Sequence, residues 1–182
     1  MRKKIIFLFV ASLTFFSCSK QGNPKLVVYI VSDQLTPSLL NKFDPLFTGG
    51  FRWLKDNGIN YTNTFHNHGK TNTGPGYFTL STGVYPGKGG IISNDWYVRD
   101  MKRSINVVED TSATNFSGKG IGRSFKNISS STLADWLKDT HPSSKVVSIS
   151  GKDRGSILMG GRNPDLALWY DKDGGFTSST YY

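Results

Sequence analysis

The chain has 182 residues, of which 37% are hydrophobic and 13% aromatic, which excludes a disordered polar segment and suits one ordinary domain with a sizeable core. Its formal charge is +9; Arg2, Lys3 and Lys4 belong to the opening segment, so the remainder carries 9 − 3 = +6. That surplus fits an anionic substrate, a membrane surface or nucleic acid equally, but no nucleic-acid recognition motif accompanies it, and the single cysteine, Cys18, excludes an intramolecular disulfide.

Arg2-Lys3-Lys4 leads into an apolar run over residues 5–16, too short to span a bilayer comfortably, which ends at Ser17 and Cys18. This pattern predicts a cleaved export signal over residues 1–17. Phe15-Phe16-Ser17-Cys18 resembles a bacterial lipobox, with Phe15 where Leu is usual. The resemblance implies that Cys18 is lipidated, becomes the mature N-terminus and anchors the chain to a membrane in the periplasm or at the outer membrane. An ordinary signal peptide with an incidental cysteine is the alternative. Residues 18–24 read as a short polar tether, and residues 25–182 as the domain.

Residues 25–33 form a continuous β-branched run closing on Asp33, the pattern of a strand buried on both faces in a parallel sheet. In open α/β sheets the ligand crevice lies at such strand ends, so Asp33 is a candidate metal ligand, or else a cap for the next helix. From Thr36 the spacing turns helical through Leu39, Leu40, Phe43 and Leu46, and after Gly49-Gly50 through Phe51, Trp53 and Leu54, stopping at Asn57-Gly58. Residues 59–65 read as a second strand, completing a βαβ unit, and lead to His66-Asn67-His68, which is read as surface rather than as a metal pair.

Thr73 then stands directly before Gly74-Pro75-Gly76, with Tyr77, Phe78 and Leu80 beginning a short helix. A hydroxyl at a helix N-terminus sits among unpaired N–H groups that favour an anion, so Thr73 is either a nucleophile or merely a cap. Asn94, followed by Asp95-Trp96-Tyr97, is a turn residue or a donor to a phosphate oxygen. Residues 100–131 read as a long polar surface excursion, and Gly118-Lys119-Gly120-Ile121-Gly122 within them lacks the strand and spacing of a phosphate loop. Residues 131–138 predict a capped amphipathic helix and 145–150 a buried strand, followed by Lys152 and Arg154, two cations that suit phosphate oxygens or simply line a solvated loop. Residues 166–170 and 176–182 predict two strands joined by a hairpin turn over 171–175.

In order and spacing, Ser32-Asp33-Gln34, Thr73-Gly74-Pro75-Gly76, Ser93-Asn94-Asp95, Gly151-Lys152-Asp153-Arg154-Gly155 and the Trp169-Tyr170-Asp171 strand resemble the alkaline phosphatase superfamily, in its phosphate-irrepressible, monoester-hydrolysing branch. The nucleotide pyrophosphatase/phosphodiesterases are the nearest rival. The resemblance implies an α/β fold with a mostly parallel sheet flanked by helices, incomplete at the C-terminus. It implies that Asp33 is a zinc ligand, that Thr73 is both the nucleophile and a ligand, and that Asn94, Lys152 and Arg154 hold phosphate oxygens. It also implies two zinc ions and a phosphate ester as substrate. A sulfatase of the cysteine type is disfavoured, because the only cysteine lies beside the signal.

Two departures qualify this. Tyr77 stands where family members often have His, and the family's other zinc ligands lie beyond the equivalent of Tyr182, whereas this chain has only His66, His68 and His141. The expectation is an N-terminal part of a longer enzyme, inactive alone. A non-catalytic, anion-binding surface lipoprotein is the reading from another class.

Overall fold

The computed structural model describes residue 22 and residues 24–171 and 175–182. The export signal, Cys18 and most of the tether lie outside them, as does the centre of the 171–175 turn. The chain divides into two compact units, Met1–Phe47 and Thr48–Tyr182.

In the first unit, α1 (Pro37–Phe43) forms where expected: Thr36 Oγ1 caps it by accepting from the Leu39 N–H at 3.3 Å, and Pro37 occupies the first turn, where its missing N–H costs nothing. A 3-10 turn over Asp44–Leu46 ends it. The strand expected over 25–33 is not formed. Leu26, Val27, Val28 and Ile30 are 65–77% exposed, and no described strand pairs with them. β-Branched residues favour extended backbone, but a ladder needs a neighbouring chain to accept and donate its hydrogen bonds.

The second unit opens with α2 (Gly50–Asn57), stopped at Gly58 as predicted and carrying an Arg52–Asp56 pair one turn apart. The second expected strand, residues 59–65, is also absent: Ile59, Tyr61 and Phe65 are exposed in irregular backbone, so the predicted βαβ unit of residues 25–65 does not form.

The helix α3 (Thr73–Thr82) starts earlier than its apolar residues suggest, because Pro75 falls among the first four positions, whose N–H groups have no intrahelical partner. Gly74, Pro75, Tyr77, Phe78, Ser81 and Thr82 are buried, the last two hydroxyls donating back to the Phe78 carbonyl. Gly83, at φ 68°, ends it in the left-handed region that glycine tolerates. A short α4 (Pro86–Gly89) follows, with Gly89 packed on the Phe78 ring so closely that any side chain there would strike it.

The stretch read as a polar excursion is largely ordered. β1 (Asp95–Val98) pairs antiparallel with β2 (Arg103–Asn106), and β3 (Glu109–Thr114) with β4 (Ile121–Arg123). Val107, Val108, Phe125 and Ile128 within it are buried core residues. Their short, scattered apolar positions between polar neighbours hid this core from a search for long periodic runs.

Helix α5 (Leu133–Thr140) is capped, as expected for residues 131–138: Thr132 and Asp135 exchange side-chain and backbone bonds in a capping box. β5 (Val147–Ser150), α6 (Asp153–Gly160) and β6 (Leu166–Asp171) make a parallel βαβ unit, and β7 (Gly175–Thr177) returns antiparallel to β6. Ser148 and Ser156 tie α6 to β5 reciprocally, each hydroxyl donating to the other residue's carbonyl at 2.7 and 3.0 Å. α6 also packs against α3, around Ile157, Leu158, Phe78, Ala167 and Trp169 of the core. The α/β class holds, carried among the described residues by helices and three small sheets of which one strand pair is parallel.

Candidate active site

The N-terminus of α3 carries the first cluster. Asn72 is its cap residue, with no side-chain capping bond, and Thr73 is the first helical residue, half-buried. The Gly74 N–H, one of the donors the helix itself leaves unpaired, is taken by Asn94 Oδ1 at 2.6 Å. With its oxygen thus engaged, the Asn94 amide is fixed in orientation next to Thr73, and its nitrogen carries the donors. Glycine is required at position 74 by contact: a Cβ there would stand 2.8 Å from the Ser93 carbonyl oxygen and 3.1 Å from Asn94 Oδ1. The Thr-Gly-Pro-Gly sequence thereby lets the 93–94 segment lie against the helix start.

The second cluster belongs to α6. Lys152 is its cap residue and Arg154 lies in its first turn, so both cations stand at a helix N-terminus rather than in an irregular loop. They line a cavity of about 470 Å³ together with Asn115, Lys119, Arg123, Asp153 and Tyr170, among others. Arg123 Nε donates to Asp153 Oδ2 at 2.7 Å, and Arg154 Nη1 lies 3.6 Å from Asp153 Oδ1. The Arg154 Nε is buried without a hydrogen-bond partner among the described residues. A slightly larger cavity, about 520 Å³, is dominated by Phe116, Leu166, Leu168 and Phe176 and holds none of the expected site residues.

Tyr77 joins the two clusters mechanically. Its ring is buried, 3.2 Å from where a Cβ of Gly155 would stand, so α3, which carries Thr73, and α6, which carries Arg154, meet through an aromatic face on a bare backbone. The two clusters are neighbours through the packing of α3 on α6; Thr73 and Asn94 are not among the residues lining the cationic cavity itself. Asp33 belongs to the other compact unit, where it is exposed in a turn before Gln34, which has φ 57°.

Residues 27–178 match the family described as type I phosphodiesterase / nucleotide pyrophosphatase. The chain belongs to this family. Among similar proteins, alkaline phosphatase PhoK of Sphingomonas sp is 34% identical over 158 residues, covering 85% of this chain and 28% of that protein. Alkaline phosphatase PhoV of Synechococcus elongatus is 39% identical over 167 residues, covering 88% and 30%. The crystal structure of wild-type alkaline phosphatase PafA superposes with a TM-score of 0.74 at 34% identity, over 79% of this chain and 29% of that one. A PafA variant with a Thr, an Asn, a Lys and an Arg replaced gives 0.79 at 32% identity, over 84% and 31%. The chain therefore spans about 30% of the length of these relatives.

The residues present do not by themselves fit a two-zinc centre. Among the described residues no group of three or more His, Cys, Asp or Glu side chains could hold a metal ion. The rings of His66 and His68 meet edge to face at 5.3 Å; His68 Nδ1 bonds the Lys70 carbonyl at 3.0 Å, and its Nε2 lies 3.4 Å from Thr79 Oγ1. His68 is thus occupied in positioning the segment just before α3.

Arg123, Lys119 and Asp153 escaped the sequence reading. The glycines at 118, 120 and 122 mark the loop that brings Lys119 and Arg123 to the cavity, shaped by Asn115 Nδ2 donating to the Lys119 and Ile121 carbonyls at 3.0 Å each. The legible signal was alternate cations flanking those glycines, not the glycines as a phosphate loop.

Proposed function

We propose that the protein is a phosphate monoester hydrolase that acts through Thr73, and that this chain carries its nucleophile and its phosphate grip. The observation that carries the reading is the 2.6 Å bond from the Gly74 N–H to Asn94 Oδ1, which presents an amide donor beside a hydroxyl at a helix N-terminus. Thr73 Oγ1 attacks phosphorus, the ester oxygen departs with its electron pair and takes up the proton that the Thr73 hydroxyl loses, and water then releases phosphate from the phosphothreonine and returns a proton to Thr73. Asn94, Lys152 and Arg154 bind the phosphoryl oxygens; two cations on one helix favour a monoester, which has more charge to neutralise than a diester. The replaced Thr, Asn, Lys and Arg of the PafA variant are the same residue types in the same chain order, which supports the assignment.

Zinc dependence is part of the proposal for the whole protein, tested by chelation and re-addition; since the described residues offer no ligand cluster, the 182-residue chain alone is expected to bind phosphate without turnover. Export and lipid anchoring at Cys18 complete the reading.

Turnover of an aryl phosphate monoester and the matching diester by the whole protein tests it. Thr73→Ala is expected to lower monoester turnover by about 10³-fold or more, and Lys152→Ala with Arg154→Ala to cost about 10²-fold on the monoester and far less on the diester. Wild-type protein that prefers the diester would instead support the phosphodiesterase reading that the family description favours.

A further inference from the structure

We infer that Arg123 is a positioning residue for Arg154, acting through Asp153; this rests on the reading of Arg154 as a phosphate ligand. The three side chains form a row at the start of α6. Asp153 Oδ2 accepts from Arg123 Nε at 2.7 Å, while Asp153 Oδ1 accepts from the backbone N–H of Arg154 at 2.7 Å and stands 3.6 Å from Arg154 Nη1. At 3.6 Å the two charges attract, but they are not hydrogen-bonded. The carboxylate is thus shared unequally, held by Arg123 and only neighbouring Arg154.

That inequality matters for an anion site. A carboxylate beside a phosphate-binding guanidinium repels the phosphate and competes for the same N–H fork. The side chains of Arg123, Asp153 and Arg154 are only 24%, 17% and 22% exposed, so these charges are less screened than surface pairs. Arg123 neutralises Asp153 and occupies its Oδ2. Without Arg123, the carboxylate is released to close on Arg154 as a bidentate pair and withdraw it from the anion. Arg123 is well placed for this work: its backbone pairs with Glu109 across β3 and β4, and its carbonyl accepts from the Ser179 hydroxyl. The strand therefore fixes where the guanidinium begins.

Calorimetry of inorganic phosphate binding to the 182-residue chain tests the inference. Arg123→Ala is expected to weaken binding about ten-fold, and Asp153→Asn to change it less than about three-fold. The pair Arg123→Ala/Asp153→Asn is expected to return affinity to within about three-fold of wild type, because the competing carboxylate is gone. Arg123→Gln, which keeps a neutral donor for Asp153, shows the same restoration by Asp153→Asn and serves if the alanine variant fails to fold by circular dichroism. A double variant as weak as Arg123→Ala overturns the inference, since Arg123 then either grips phosphate directly or only supports the fold. If Arg154→Ala binds phosphate like wild type, or wild type does not bind it, the underlying phosphate-site reading fails as well. Loss in Arg154→Ala without loss in Arg123→Ala sinks only the positioning role.

Discussion

At the scale of single residues, polar side chains in this protein are used to hold backbone. Asn94 takes an unpaired donor of α3, Asp135 closes the capping box of α5, and Asp110 braces the β3–β4 region. Asp110 shows the energetic side of this. Its side chain is almost fully buried, and burial alone would raise its pKa; the hydroxyls of Ser112 and Ser124, the Ser112 N–H and the Lys126 ammonium outweigh that and hold it down at about 2. A carboxylate whose folded pKa lies below its unfolded value adds stability above the unfolded pKa and loses it as pH falls towards the folded one. With an unfolded value near 3.9, the difference corresponds to about 2–3 kcal/mol at neutral pH. Asp110→Asn is therefore expected to cost about 2–3 kcal/mol in urea unfolding at neutral pH and to remove Asp110's share of the decline in stability expected between roughly pH 4 and 2. An equal deficit at both ends of that range would refute linkage as the source. Burial likewise pushes the Tyr182 hydroxyl far up, so it stays protonated and neutral.

At the scale of elements, the helices were legible and the strands only partly so, for one physical reason. A helix satisfies its own backbone, so caps and periodicity suffice: the helical onset at Thr36, the stop at Asn57-Gly58 and the capped helix over 131–138 were all legible. A strand depends on a partner that its own residues do not encode. The 26–31 run is at least as β-prone as 146–149, yet only the latter has β6 beside it. The same limit governs the site. Thr73, Asn94, Lys152 and Arg154 stand out by residue type, whereas Arg123 and Asp153 are joined only by a contact across 30 residues of sequence. Helix packing should carry function accordingly. Gly155→Ala places a methyl against the Tyr77 ring and the Ser150 side chain, and is expected to destabilise by about 1–3 kcal/mol and weaken phosphate binding by separating α3 from α6. Thr132→Ala removes a cap at a cost of about 1 kcal/mol and should leave phosphate affinity unchanged. Parallel thermal unfolding and phosphate titration of both variants checks this; equal affinity in the two would show that the α3–α6 contact does not shape the site.

For the whole molecule, two different forces can hold the chain at a membrane. Among the described residues no helix is long and apolar enough to cross a bilayer. The proposed anchor is a lipid on Cys18, but residues 18–182 also carry a net charge of 9 − 3 = +6, enough to adsorb to anionic lipid without any anchor. The two predict opposite responses to salt. Electrostatic adsorption is screened within about 3 Å at 1 M salt, whereas acyl chains are held by about 0.8 kcal/mol for each buried methylene and do not respond to ionic strength. Expressed in a Gram-negative host, the wild-type chain is therefore expected to sediment with membranes, to resist a high-salt wash, to be released by detergent, and to incorporate labelled palmitate. Cys18→Ser should lose the label and move to the periplasmic fraction with its phosphate affinity intact, because no site residue is altered. Wild-type protein released by salt alone, or a serine variant that remains with the membranes through the salt wash, would overturn anchoring at Cys18 and leave the basic surface as the membrane contact.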